Sequence, residues 1–240
     1  MYWDYYLMGI VLLPAILLAI YAQSKVNSAY SQFSKVFTEK GFKSQDVARL
    51  LLDCADLKNV SIKRIEGRLS DYYDHSKQVV ALSSSTYDSS SVAALGVTAH
   101  EVGHALQYKD NYLPIKIRSF IIPITNASST LLWPLIVIGL MFNFAVYPGT
   151  VWGNLFLWIG VAFFGLAVLL DLITLPVEFN ASKRALDLLS QTEILNKEET
   201  EGAKKVLSAA ALTYVASLLN SMLNLVRFLL VFLLNARRND

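Results

Sequence analysis

The sequence predicts a mainly α-helical membrane protein with about four transmembrane helices and a small α+β domain. Three observations predict this fold class. Hydrophobic residues make up 54% of the 240 residues and charged residues only 17%, which is too apolar for an ordinary soluble domain and too charged for a purely transmembrane chain. The stretch from Ser119 to Leu170 contains no Asp, Glu, Lys or Arg. The charges gather instead in two polar regions, which can form a domain outside the bilayer.

The uncharged stretch predicts a helical hairpin. Two spanning helices need roughly 40 residues, so residues 119–170 are long enough for both. A tip is expected at Tyr147-Pro148-Gly149, because Pro and Gly interrupt helices. We therefore predict transmembrane helices at 126–146 and 152–174.

Two further apolar segments are expected to enter the membrane. Residues 5–24 lack charges and carry no cleavage signal, so they predict an uncleaved anchor. Residues 206–234 contain a single charge, Arg227. That segment either spans the membrane or is re-entrant, an alternative suggested by its polar residues Asn220, Asn224 and Arg227.

The distribution of charge predicts an orientation. Residues 22–125 contain 13 Lys and Arg, residues 176–205 contain five, and the expected hairpin tip contains none. By the positive-inside rule both polar regions face the cytoplasm. We expect a multi-pass protein of the plasma membrane whose partner is the lipid bilayer. The net charge of +2 gives no indication of nucleic-acid binding.

The larger polar region, residues 25–125, is predicted to be the α+β domain. Alternating apolar residues favour strands at 60–65 and 78–83. A helix is expected at about 91–108, where Ser89–Ser91 can cap its start. The smaller region, 176–205, is predicted to be helical.

The 91–108 helix carries a metal-binding motif, His100-Glu101-Val102-Gly103-His104. Residues four apart lie one above the other on a helix, so both imidazoles can reach one ion. Zinc lowers the pKa of a bound water to about 7, and Glu101 is positioned to accept its proton. Gly103 costs about 1 kcal/mol relative to Ala inside a helix, which suggests either a closely packed neighbour or space near the metal.

A catalytic zinc usually has three protein ligands, so a third is expected elsewhere in the chain. Glu178 is favoured because a hairpin returns the chain to the side of the HExxH helix. We place Glu178 in the first turn of a new helix that begins at Pro176. The alternative is Asp171, because an ionisable residue in an apolar segment suggests a function.

At these residues the chain resembles the YugP-type family of membrane zinc metallopeptidases. The matching segments are Ala93–Gln107, Asp71–Asp74 with Val80–Ser83, and Pro176–Ser182. The resemblance implies a gluzincin-like peptidase domain, zinc as cofactor and Glu178 as the third ligand. The chain departs from the pattern at three positions: Tyr72 replaces a usual His, Asn180 a frequent Asp, and Ser182 the Asp that in gluzincins orients a ligand His.

The same region offers groups that could bind a substrate. Zinc peptidases often hold the substrate against an exposed strand beside the metal helix, and strand 78–83 is the candidate. The oxyanion of the reaction is expected to be stabilised by one of His75, Tyr72, Tyr73 and Tyr108.

These observations predict a membrane-embedded zinc endopeptidase, with Glu101 as general base and His100, His104 and Glu178 as metal ligands. Its partner is expected to be a peptide or membrane-protein substrate; the sequence does not determine an oligomeric state. One alternative is a catalytically inactive zinc-binding membrane adaptor or assembly factor. Another is a transporter or channel component, suggested by Asp171 and Arg227.

Overall fold

The computed structural model describes residues 9–142 and 151–236, and the side chains to residue 230. The expected hairpin tip, residues 5–8 of the first predicted segment, and Arg237 and Arg238 lie outside these residues. The described chain is mainly helical with one small sheet. The helices are α1 (Leu13–Phe33), α2 (Ser44–Cys54), α3 (Val92–Lys109), α4 (Leu113–Met141), α5 (Val151–Gln191) and α6 (Lys197–Ala236), and the strands are β1 (Ser61–Ile65), β2 (Tyr72–Asp74) and β3 (Val79–Ser83).

The chain divides into two compact units. The first consists of Met1–Ile20, Ile117–Thr174 and Tyr214–Asp240. The second consists of Tyr21–Lys116 and Leu175–Thr213. The first unit therefore contains most of the uncharged sequence, and the second contains the HExxH motif and Glu178.

Helix α3 forms the centre of the second unit. Its start is fixed by Ser91, whose side chain accepts a hydrogen bond from the Ala94 N–H, as expected of an N-cap residue. Most of α3 is buried. Helix α5 also contributes a buried stripe at a spacing of four residues, which is one face of a helix. The stripe comprises Val177, Ala181, Ala185 and Leu189, each with 0% exposure.

The three strands form a sheet in the order β1-β3-β2. Strand β1 pairs in parallel with β3, and β2 pairs with β3 in antiparallel orientation. Asp71 fixes the start of β2 to the end of β3, because its carboxylate accepts hydrogen bonds from the backbone N–H and hydroxyl of Ser83 and from the Thr86 hydroxyl. The expectation that 78–83 is an exposed substrate strand is wrong, because β3 is paired on both sides. The edges of the described sheet are β1 and β2.

Three described helices, not four, are long and apolar enough to cross a membrane: Leu113–Met141, Val151–Gln191 and Lys197–Leu230. The prediction of about four spans is corrected at its first member, 5–24. The described part of that segment leads into α1, which runs on through polar sequence to Phe33 and is not among these three helices.

The candidate spans also extend beyond their predicted bounds. Pro176 does not begin a new helix but lies inside α5, as Pro123 and Pro134 lie inside α4. Pro is tolerated inside apolar helices because neighbouring groups compensate for the lost hydrogen bond. For 206–234, α6 is unbroken from Lys197 to Ala236, which favours the spanning alternative over the re-entrant one.

Candidate metal centre

The HExxH motif lies in the middle of α3, within a mostly buried part of the helix. His100 and His104 are four residues apart, so their side chains project from the same face. Their rings meet edge to face, with centroids 4.7 Å apart. Both side chains are only slightly exposed, at 14% and 12%. The helix therefore presents two nearly perpendicular imidazoles at one point.

Glu178 reaches this point from α5. Its Oε2 lies 3.2 Å from His100 Nε2 and 3.6 Å from His104 Nε2. The close approach of the two helices depends on Gly103, because a Cβ at this position would lie 2.5 Å from the Ala181 carbonyl oxygen. The prediction of a closely packed neighbour at Gly103 is thus confirmed, and that neighbour is the backbone three residues after Glu178.

The three side chains suit a zinc ion. Their ligand atoms all lie within 4.8 Å of one another. Tetrahedral ligands about 2.0–2.1 Å from zinc are separated by about 3.3 Å, close to the two distances between Glu178 and the imidazoles. Two neutral imidazoles and one carboxylate are also a ligand set typical of catalytic zinc. Among the described residues, this is the group of His, Cys, Asp and Glu side chains that fits a metal ion.

The outward ring nitrogens of both histidines have oxygen partners. His100 Nδ1 lies 3.1 Å from the Ser182 hydroxyl, and His104 Nδ1 lies 3.0 Å from Gln107 Oε1. A histidine that donates its Nδ1–H to an oxygen leaves the Nε2 lone pair available for a metal. Ser182 therefore contacts a ligand His from the position where gluzincins have Asp, although its hydroxyl carries no charge.

Glu101 is placed to exchange protons. Its side chain lies beside the two histidines in sequence and is almost fully buried, with 8% exposure. Burial raises the pKa of the Glu101 carboxyl, and the neighbouring His100 and His104 only partly offset this effect. Burial is the largest single influence on the pKa of His104 and lowers it, but the hydrogen bonds to Glu178 and Gln107 and the nearby carboxylates of Glu101 and Glu178 together outweigh it, so the net pKa is raised. In the metal-free protein the carboxylate of Glu178 thus stabilises positive charge at this site.

Comparison with known proteins agrees with this geometry. Residues 8–233 match the family described as "Putative neutral zinc metallopeptidase". The chain belongs to this family. It is also 40% identical over 222 residues to the "Putative membrane protease YugP" of Bacillus subtilis (strain 168), covering 92% of this chain and 94% of that protein. No solved structure matches the chain.

Within this zinc metallopeptidase family member, the structure brings together most of the residues singled out in the sequence. His100, His104 and Glu178 converge, with Glu101 next to them on α3. Asp171, the alternative ligand, is not in the cluster. It belongs to the first unit, where its carboxylate accepts hydrogen bonds from the hydroxyls of Ser217 and Ser221 on α6.

Sequence reasoning missed the partners of the histidines. Gln107 is fully buried, and it lies three residues after His104 on the same face of α3. A long amide side chain at that spacing, within an apolar helix, was the available signal. Ser182 was singled out only as a departure from the gluzincin pattern, and its contact with His100 was not predicted.

Three of the four proposed oxyanion groups form an aromatic cluster in the second unit. The rings of His75 and Tyr108 are stacked, with centroids 3.8 Å apart and an interplanar angle of 7°. Tyr73 lies 5.9 Å from Tyr108 between ring centroids. Tyr108 is one helical turn beyond His104 on α3. Tyr72, by contrast, is 46% exposed.

Proposed function

We propose that the protein is a membrane-anchored zinc endopeptidase in which His100, His104 and Glu178 hold the metal and Glu101 is the general base. The observation that carries the proposal is the convergence of both Nε2 atoms on the Glu178 carboxylate, with both Nδ1 atoms occupied by oxygen partners. When bound there, zinc would act as a Lewis acid that polarises the scissile carbonyl and activates water.

The chain's own residues account for the proton transfers. The Glu101 carboxylate accepts a proton from the attacking water and then passes it to the leaving amine. The burial that raises its pKa favours this exchange near neutral pH. Membership of a zinc metallopeptidase family supports these roles.

Substrate binding is assigned to the edge strand β2. This strand packs against α3, and its outer edge is unpaired in the described sheet, so an extended peptide can add to it through main-chain hydrogen bonds. The stacked rings of His75 and Tyr108 lie next to β2 and one turn from His104. We assign one of these two side chains to the carbonyl oxygen of the substrate.

The membrane location follows from the three candidate spans and the name of the Bacillus relative. We further propose a plasma-membrane protein whose metal unit faces the cytoplasm, because the residues of that unit hold most of the Lys and Arg. Its substrates are then peptides or membrane proteins with accessible cytoplasmic segments.

The competing proposal, an inactive zinc-binding adaptor, is less well supported. A structural zinc site is usually closed by four protein ligands. The cluster seen among residues 9–142 and 151–236 contains three. A buried Glu beside the ligands is also needed for hydrolysis and has no role in a purely structural site.

The test compares Glu101→Gln with the wild-type protein purified in detergent. Glu201→Gln serves as the matched control, because Glu201 is an exposed residue whose carboxylate pairs with Lys204. We expect about one zinc per chain in all three proteins, measured by elemental analysis, and cleavage of β-casein in all but Glu101→Gln. Cleavage that persists in Glu101→Gln would refute the mechanism. Zinc without cleavage by the wild-type protein in this assay would favour the adaptor.

A further inference from the structure

A chain of polar side chains runs from the surface to His104. Gln107 is fully buried. Its Oε1 faces His104 Nδ1, while its Nε2 donates to the Val177 carbonyl at 2.7 Å and to Asn180 Oδ1 at 3.0 Å. Asn180 Oδ1 in turn accepts a hydrogen bond from Arg184 Nε at 2.8 Å. Arg184 is held by an ion pair with Asp110.

The direction of every hydrogen bond in this chain is determined by its ends. An arginine can only donate, so Asn180 must present its oxygen to Arg184. A backbone carbonyl can only accept, so Gln107 must present its NH₂ group to Val177. A flipped Gln107 amide would bring its oxygen against two other oxygens. The Gln107 oxygen is therefore fixed towards His104, and that oxygen can only accept.

We propose that this relay sets the tautomer of His104, with Gln107, Asn180 and Arg184 as positioning residues. The inference rests on the proposed function of the site as a zinc centre. An acceptor at Nδ1 keeps the proton on Nδ1 and leaves the Nε2 lone pair for the metal. Without it, the Glu178 carboxylate, 3.6 Å from Nε2, would attract the proton to Nε2, and that tautomer cannot bind zinc.

His100 provides an internal comparison. Its Nδ1 partner is the Ser182 hydroxyl, which can either donate or accept by rotating. The tautomer of His100 is therefore not fixed by the relay. A change in the relay should alter His104 and leave His100 unaffected.

The experiment uses the full-length chain with ¹⁵N-labelled histidine in detergent. The chain contains three histidines, so few imidazole signals must be assigned. The tautomers are read by NMR in the zinc-free protein at alkaline pH, and zinc affinity is measured by competition with a chromophoric chelator. The variants are Asn180→Leu, which removes the acceptor, Asn180→Asp, which keeps it, and Arg184→Met, which removes the donor at the outer end.

We expect wild-type His104 to be protonated at Nδ1. In Asn180→Leu only the Val177 carbonyl still holds the Gln107 NH₂ group, and in Arg184→Met the Asn180 amide is free to turn its own NH₂ group towards Gln107. A fraction of the Nε2–H tautomer should therefore appear in both variants, and zinc affinity should fall by up to about 10-fold, as for other groups that orient metal ligands. In Asn180→Asp the His104 tautomer and the zinc affinity should match those of the wild type, and the His100 tautomer should be the same in all variants. A general loss of packing would not produce this pattern.

Two results would overturn the relay. One is a wild-type His104 protonated at Nε2. The other is an unchanged His104 tautomer and an unchanged zinc affinity in both Asn180→Leu and Arg184→Met. If Asn180→Leu does not fold, Arg184→Met decides alone, because Arg184 lies at the partly exposed outer end of the relay. A wild-type protein that binds no zinc at all would instead contradict the proposed function.

Discussion

Substitution of Gly103 by Ala tests whether the metal centre depends on the close approach of α3 and α5. The added Cβ would lie 2.5 Å from the Ala181 carbonyl oxygen and 3.3 Å from its Cα. Real Cβ atoms almost never approach another atom to less than 3.0 Å. The α5 backbone must therefore move by at least about half an ångström, because no flexible side chain is available to yield.

The expected change in the free energy of unfolding of Gly103→Ala combines two opposing effects. Ala is favoured over Gly inside a helix by about 1 kcal/mol, while overpacking a tight contact costs about 1–3 kcal/mol. We expect a net destabilisation of up to about 2 kcal/mol, or a fall in Tm of up to roughly 8 °C for a chain of this size. The shift also moves Glu178, three residues before Ala181, away from both imidazoles. Since metal sites tolerate deviations of about 0.2 Å, zinc affinity should fall by at least about tenfold.

Two other glycines provide controls. A Cβ on Gly165 in α5 would have no neighbour within 4 Å, whereas one on Gly96 in α3 would lie 3.2 Å from the Ala203 side chain. Gly165→Ala should be neutral or stabilising, and Gly96→Ala should have a small effect on stability with little effect on zinc. Thermal unfolding and chelator competition measure both quantities. A Gly103→Ala protein that resembles Gly165→Ala in both would refute the reasoning.

Three further predictions concern stability. Removal of metal with a chelator should lower Tm, because a ligand that binds only the folded state stabilises it by mass action; Glu178→Ala should abolish this difference in thermal scans. Glu199→Ala should lower the free energy of unfolding by about 1–2 kcal/mol in denaturant titrations. The Glu199 carboxylate caps the start of α6 by accepting a hydrogen bond from the Asn196 N–H, and it accepts a second one from the Glu39 N–H. An unchanged denaturation midpoint would contradict this. Asp71→Ala should lower the free energy of unfolding by about 2–3 kcal/mol, because the Ser83 and Thr86 donors lose their acceptor. An equally large loss of stability in the exposed control Asp46→Ala would show that the effect is not specific.

The convergence of the three candidate ligands was predictable because it follows from short-range rules and one topological argument. The spacing of His100 and His104 is the helical repeat itself. Glu178 was found because a hairpin of two helices must return the chain to its starting side. That argument requires only the length of the uncharged stretch, and it holds even though the helix containing Glu178 was predicted to begin at Pro176.

The errors arose where tertiary contacts override local signals. Pro176 usually indicates a helix start, but α5 continues through it, and the buried stripe that begins at Val177 packs the helix on the domain core. The central position of β3 could not be predicted, because β2 has only three residues and no strand was predicted there. The contact of Ser182 with His100 lies between α5 and α3, and no periodicity reveals it.

The order of the ligands along the chain has a consequence for biogenesis. His100 and Glu178 are separated by 78 positions, and between them lie α4 and most of α5, two of the candidate membrane-spanning helices. A nascent chain that ends before residue 178 contains the HExxH helix but cannot form the three-residue cluster. The cluster therefore cannot assemble until the apolar stretch between its members has been synthesised.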